Sequence, residues 1–249
     1  MIRFSLCHPS RGRVARAAGA IVEWAERRSG THPVEHILSV DTDDDVAGYR
    51  EMAAAHDVRL VVNANRSIVD AANAAARAAT GDVLIVVSDD FGCPDAWDVA
   101  LAGVVGERRD VAVLVHDGIH GRILTLPILG RALYERLGYV YHPDYVSMFV
   151  DDDLTHTAQA MGVLVDARHL VFPHRHYTAG HAPSDATYVR QNSNAAWWHG
   201  WRVLEKRRAG GFGLGRRTLG VRAKELEIDV RYFTRIYGSR VKRLLVRRA

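Results

Sequence analysis

Two acidic clusters and a pair of histidines are the residues of this chain best equipped for chemistry. Ser88-Asp89-Asp90 closes the apolar run Val83-Leu84-Ile85-Val86-Val87, and Asp151-Asp152-Asp153 lies about 60 residues further on. Adjacent carboxylates at the end of a buried strand must be solvated or paired, because an isolated buried charge is costly. A divalent cation is one natural partner. A turn or helix N-cap is the other, and Pro94 just downstream fits a helix start. Hard oxygen ligands suit Mg²⁺ or Mn²⁺, and Mn²⁺ also tolerates imidazole. His174 and His176 would fall on one side of an extended segment and could add a metal ligand or a diphosphate contact. Arg11 and Arg13 could meet phosphate through bidentate hydrogen bonds, or stay as solvated surface arginines.

These residues need a scaffold that brings them to one place. The run 83–87 is short, Val-rich and flanked by turn residues, as expected of a fully buried strand. Further strands are expected at 2–7, 34–40, 58–62 and 111–115, with helices at 14–28, 46–55, 68–79, 96–105, 127–137, 154–161 and 183–208. Val163-Leu164-Val165 and Leu170-Val171-Phe172 flank an expected polar turn. The β-α alternation over the first 90 or so residues implies a mainly parallel sheet with helices on both faces. Each strand there ends in polar or acidic residues, and ligands of open α/β sheets gather at that edge. No GxGxxG follows the first strand and no GxxxxGK[ST] occurs, which argues against dinucleotide and P-loop phosphate binding.

The chain has 249 residues, 48% of them hydrophobic, and a net charge of +4 that is unevenly spread. Residues 200–249 carry 15 Lys/Arg and 4 Asp/Glu, a net of +11, and the rest carries −7. A basic tail on an acidic body suits a polyanionic partner such as DNA, or an anionic membrane surface; a solvated basic helix packed on the body reads equally well. Leu226, Val230, Phe233, Tyr237, Val241 and Leu244 recur at helical spacing, so 216–249 is expected to be one amphipathic helical region whose apolar stripe docks on the body or on a membrane. Gly210-Gly211-Phe212-Gly213-Leu214-Gly215 is a glycine-rich linker before it. No apolar run approaches the roughly 20 residues that span a bilayer. With two cysteines, Cys7 and Cys93, and no signal-peptide pattern, the expected compartment is the cytoplasm, including the inner membrane surface or a host cytoplasm for a phage protein.

Four places together resemble nucleotide-sugar glycosyltransferases of the GT-A fold, in particular family-2-like enzymes: the Pro9-Ser10-Arg11 loop, Asp41 after strand two, the Ala-Thr-Gly-Asp run leading to Ser88-Asp89-Asp90, and Asp151-Asp152-Asp153. The resemblance covers roughly residues 2–177. It implies an α/β, GT-A (Rossmann-like), mainly parallel sheet flanked by helices, with a helical basic C-terminal extension. The catalytic domain would be 1–182, with a donor half to about 95 and an acceptor half after it; the extension would be 183–249. Ser88-Asp89-Asp90 looks like the family's metal-binding D-x-D motif, although Ser88 stands where an Asp is common. This implies Asp90 as metal ligand, with His174 and His176 as further ligands, and Asp89 as a ribose or metal contact. Pro9, Ser10, Arg11, Arg13 and Ser88 would line the donor site, Asp41 would read the nucleobase or ribose, and Asn65, Arg66 and Asn73 are weaker donor contacts. The triple Asp looks like the E-D motif that supplies the catalytic base, and the ten-residue spacing to Gly162 favours Asp152, with Asp151 and Asp153 raising its pKa by like-charge repulsion. A helix cap before Leu154 is the alternative.

The expected activity is therefore metal-dependent transfer of a sugar from a nucleotide-sugar, UDP-linked by expectation, to a hydroxyl, with inversion. The acceptor would be a polyanion such as hydroxymethylated phage-type DNA, or a cell-surface glycan, approached through the basic tail or through Tyr141, Tyr145 and Trp197. A nucleotidyltransferase would carry a Gly-rich loop with Lys or Arg directly after strand one, which Ser10-Arg11-Gly12-Arg13 only approximates. A non-enzymatic nucleic-acid-binding protein would leave the acidic strand ends without a role.

Overall fold

The computed structural model describes residues 1–175, 193–215 and 218–246, without the side chains of 236–246. A seven-stranded mixed sheet organises the chain, in the order β3-β2-β1-β4-β6-β5-β7. Strands β1 (Phe4–Pro9), β2 (Val34–Asp41), β3 (Arg59–Asn63) and β4 (Val83–Val86) are parallel, and β1 pairs with both β2 and β4. Helices α1 (Val14–Glu26), α2 (Val46–Ala55) and α3 (Ile68–Ala78) make the crossovers. Because both faces of the sheet are covered, β1 and β4 are buried along their whole length; β4 reads as a continuous apolar run, and in β1 the buried Ser5 and His8 are hydrogen-bonded. Alternate residues of β4 serve two cores: Leu84 and Val86 meet α3 residues such as Ala72 and Ala76, while Val83, Ile85 and Val87 share the opposite core with Trp24 and Trp97.

Past β4 the sequence reading needs correcting in three places. The segment expected as one helix at 127–137 divides into strand β6 (Ile128–Gly130) and helix α5 (Arg131–Leu137). β6 runs antiparallel between β4 and β5 (Ala112–His116). A Cβ on Gly130 would lie 2.2 Å from the Arg109 carbonyl oxygen, so the chain passes there only as glycine. The turn expected between 165 and 170 is absent: β7 (Leu164–Val171) is continuous and parallel to β5, with an irregularity between Leu114 and His116 absorbing the register shift. Its polar residues stay extended because β7 is a sheet edge, where side chains such as Asp166 and Arg168 pair in solvent. Helix α6 (Val150–Ala160) starts four residues earlier than expected, so the three aspartates occupy its first turn. There their charge is favoured by the helix dipole.

Helix α4 (Trp97–Val105) follows the loop after β4. Beyond the sheet, α7 (Asn194–Ala209) packs on α6, and α8 (Leu219–Val246) lies along α7. Of the two dockings expected for the stripe of the last helix, that on the body is made by Ile228, while Leu226 and Val230 face solvent and Phe233 lies at the edge, its ring 5.3 Å from the Arg202 guanidinium of α7.

Candidate active site

The carboxyl ends of β1, β2, β4 and β5 converge with the N-terminus of α6 and the segment after β7. The loop after β4 is held from behind by an aromatic chain. Trp97 Nε1 donates to the Trp24 carbonyl at 3.0 Å, and Trp24 Nε1 donates to the Phe91 carbonyl at 3.0 Å. From the other side, segment 173–175 is stitched to it: Gly92 N donates to Pro173 O at 2.9 Å and Arg175 N to Asp90 O at 2.8 Å. A bidentate Arg175–Glu23 pair at 2.7 and 2.8 Å anchors that segment to α1, and its hydrogen bonds hold Glu23 below its usual range.

The result is that Asp90 and His174 meet. His174 Nε2 lies 3.4 Å from Asp90 Oδ2 and its Nδ1 3.8 Å from Asp117 Oδ2, and the ring stacks on Phe91 at 4.1 Å between centroids. Burial disfavours the charged ring, but the neighbouring Asp117 and Asp90 carboxylates outweigh it and raise the His174 pKa to about 9. Ser88 Oγ donates to Asp90 Oδ1 at 2.5 Å. Asp117 is fully buried; burial alone would raise its pKa, yet His174 and the backbone amides of His120 and Ile119 hold it well below the usual range. Sequence reading missed Asp117, although Val111-Ala112-Val113-Leu114-Val115-His116-Asp117 repeats the pattern of an apolar strand ending in a carboxylate.

Asp89 turns the other way. Its oxygens receive His8 Nε2 at 2.9 Å and Ser10 Oγ at 3.2 Å, with Arg13 at 3.7 Å, and its side chain is 4% exposed. It braces the β1 and β4 loops to each other. His8 Nδ1 in turn meets His36 Nε2 at 3.0 Å, and burial, reinforced by His8, holds His36 well below its usual pKa. Ser10 Oγ also contacts the Tyr49 hydroxyl at 2.9 Å, so Ser10 is part of this brace, directly after Pro9 at the end of β1.

At the end of β2, Asp41 Oδ1 accepts from Asn65 Nδ2 at 2.8 Å, and Arg11 bonds Asp41 and, bidentately at 2.7 and 2.8 Å, Asp43. Asp41, Asn65 and Arg11 thus form one cluster. Two expected donor contacts lie elsewhere. Arg66 pairs with Asp70 in the first turn of α3, exposed to solvent. Asn73 is buried and hydrogen-bonds the backbone of Val140 and Tyr141, which makes it a fastener for the chain before α6. His176 lies outside the described residues.

The three aspartates of α6 point in three directions, because successive helical residues are rotated by about 100°. Asp153 is buried against Arg207 at 2.6 and 3.0 Å and the Tyr145 hydroxyl at 3.0 Å. Asp152 is raised by burial, which attraction to His156, Arg208 and His120 offsets only in part. Asp151 is the one that senses His174 and Asp117 and bonds the Tyr141 hydroxyl. Burial first, then repulsion from Asp152, raises its pKa to about 7. Asp152, favoured by the spacing to Gly162, is its neighbour in the same turn, and Asp151 is the one of the two coupled to His174 and Asp117.

Among the described residues no group of three or more His, Cys, Asp or Glu is arranged as a metal cage. Asp90 and His174 form a two-residue oxygen–nitrogen pair instead. That suits a cation that keeps waters and takes its remaining ligands from a substrate's phosphates, as Mg²⁺ and Mn²⁺ sites commonly do.

Comparisons with known proteins bear on this geometry. The sequence model described as "Glycosyl transferase family 2" matches residues 13–123. No curated protein matches the chain by sequence. Among solved structures, a mannosyltransferase from Pyrobaculum calidifontis, in complex with GDP-Man and Mn²⁺, superposes with TM-score 0.54 at 17% identity, covering 93% of this chain and 70% of its own. S. aureus TarS residues 1–349 in complex with UDP gives 0.61 at 12% identity, covering 95% and 73%. Glucosyl-3-phosphoglycerate synthase from Mycobacterium tuberculosis, with Mn²⁺, UDP-glucose and glycerol 3-phosphate, gives 0.51 at 15% identity, covering 70% and 73%. The sheet order and these shared folds agree on an α/β fold of the GT-A type, and the family-2 match runs from α1 through β5 within it.

Proposed function

We propose that the chain transfers a sugar from a UDP-linked donor to a hydroxyl acceptor in one displacement with inversion, using Asp151 as general base. The observation that carries this is the convergence of Asp90, His174 and Asp151 at the strand ends, with Asp117 fixing the histidine. Asp90 and His174 would hold a Mn²⁺ or Mg²⁺ ion, and that cation offsets the negative charge developing on the leaving diphosphate. The donor's nucleoside would lie toward Asp41 and Asn65, with Arg11 and Arg13 near enough to the β1 loop to exchange a carboxylate partner for phosphate. Asp151 takes the proton of the attacking hydroxyl. A carboxyl group titrating near 7 is a stronger base than an ordinary one and is still largely ionised slightly above neutrality. Tyr141, bonded to it, keeps its oxygens aimed. The similar structures with UDP, UDP-glucose and GDP-Man make UDP-linked sugars the first donors to try and GDP-linked ones the second.

The test is hydrolysis and transfer with a nucleotide-sugar panel, with Mn²⁺ and with EDTA. Loss of turnover in EDTA, restored by Mn²⁺, is expected. Asp151→Asn should lower transfer by about 10² to 10⁴ while donor binding persists. Normal turnover in Asp151→Asn with a dead Asp152→Asn would return the role to Asp152.

A further inference from the structure

Helix α8 has two faces. One packs on α7: Ile228 is 2% exposed, Asp229 accepts from Arg202 Nε at 2.5 Å and Lys206 Nζ at 2.7 Å, and Arg231 and Arg235 lie over the Trp201 and Trp198 rings. The other face carries Leu219, Leu226 and Val230, which are 83%, 65% and 58% exposed, and at its edge Phe233, 48% exposed, whose ring also lies 5.3 Å from the Arg202 guanidinium. Their spacings of seven, four and three place them on one line, and at 3.6 residues per turn that line lies roughly opposite Ile228. Tyr237, Val241 and Leu244 continue the spacing in the sequence, and the helix runs to Val246. Single exposed apolar side chains need no explanation, but an aligned row turned away from the body marks a binding surface.

Charge selects the occupant. The three acids of α8 precede its second half, and two of them are already paired: Asp229 with α7, and Glu227 with Lys224 at 2.8 Å. After Asp229 the sequence holds seven Lys/Arg and no carboxylate. A second copy docking on this face would bring that run against its own like. Duplex DNA would satisfy the cations but offers nothing to Leu226, Val230 and Phe233. An anionic lipid surface accommodates both features, the apolar row at the headgroup–acyl boundary and the cations among the phosphates. No described helix is long and apolar enough to cross a membrane, so α8 would lie in the interface plane. We propose that α8 seats the chain on an anionic lipid surface through Leu219, Leu226, Val230 and Phe233. This goes beyond the donor-site reading and does not depend on it.

The test is co-sedimentation of the full chain with vesicles of phosphatidylcholine alone or with roughly 30% phosphatidylglycerol, with donor hydrolysis measured on the same samples without lipid. Binding to the anionic vesicles only, weakening with salt, is expected. Leu226→Ser with Phe233→Ser should abolish it. Arg240→Gln, Lys242→Gln and Arg243→Gln should each lower partitioning by about five-fold. Lipid-free hydrolysis should be unchanged in all four variants; a wild type that binds vesicles but never hydrolyses donor would speak against the donor site alone. Equal partitioning to neutral and anionic vesicles, or none, overturns the proposal. So does a lipid-free dimer, seen by analytical ultracentrifugation, that dissociates in the double serine variant, and so does release from vesicles by an equal phosphate concentration of duplex DNA.

Discussion

Asp151 sits where activity and stability pull apart. Its carboxyl group is raised to about 7 in the folded chain, from an ordinary value of 3.8. Between those values the folded protein holds a proton that the unfolded chain has released, so stability falls as pH rises through that window. Asp151→Asn removes this dependence. The variant should therefore be more stable than wild type at pH 8, by about 2–4 °C in Tm for each kcal/mol recovered, and should lose that advantage below about pH 4; paired thermal scans of metal-free protein check it. In the wild type, transfer should rise with pH through about 7, following the ionised base. Asp90→Ala should leave the fold intact and abolish the heat of Mn²⁺ binding in the presence of UDP; calorimetry with wild-type affinity would contradict the assignment. Asp90 and Asp41 were legible as polar residues ending apolar strands. The register within Asp151-Asp152-Asp153 was not, because three adjacent carboxylates carry no mark of helical phase until the start of α6 is known. The partners of Asn73 were hidden for a related reason: a polar residue inside an Ala-rich helix gives no sign that it hydrogen-bonds backbone groups almost 70 residues away.

At the scale of elements, α6 is oriented by its buried end. Asp153 and Arg207 are 4% and 11% exposed, and the same carboxylate accepts from Tyr145. Taking one partner from such a pair leaves an uncompensated buried charge, at a cost of about 3–5 kcal/mol. Arg207→Ala should thus lower the denaturation midpoint strongly and also reduce transfer, since the turn that carries Asp151 loses its anchor. Denaturant titration beside kinetics would show both; an unchanged midpoint would mean that α6 is held by its apolar contacts alone. The parallel half of the sheet was readable because β4 is buried on both faces and lacks polar interruptions, and because strands alternate there with helical patterns. β6 was hidden because three residues are too few to show a period of two, and they run directly into a helical stretch. β7 was split by the sequence reading because Asp166, Arg168 and His169 look like a turn when nothing reveals that they lie on an edge.

At the scale of the whole molecule, the position of β6 bears on which parts of the chain can exist alone. The family-2 pattern ends at residue 123, yet β4 receives its second neighbour only from residues 128–130. A fragment cut at the end of that pattern would present the open backbone of Val83–Val86 as an apolar, uncharged sheet edge, a template for pairing with other chains. Fragment 1–123 should accordingly aggregate on expression, while 1–175, which includes β6 and β7, should remain markedly more soluble, as light scattering at matched concentration would show. The stretch that carries the recognisable pattern is thus not an autonomous module. Its central strand is completed by a three-residue insertion from outside it, so shuffling that stretch into another protein would have to carry the later, less recognisable residues with it.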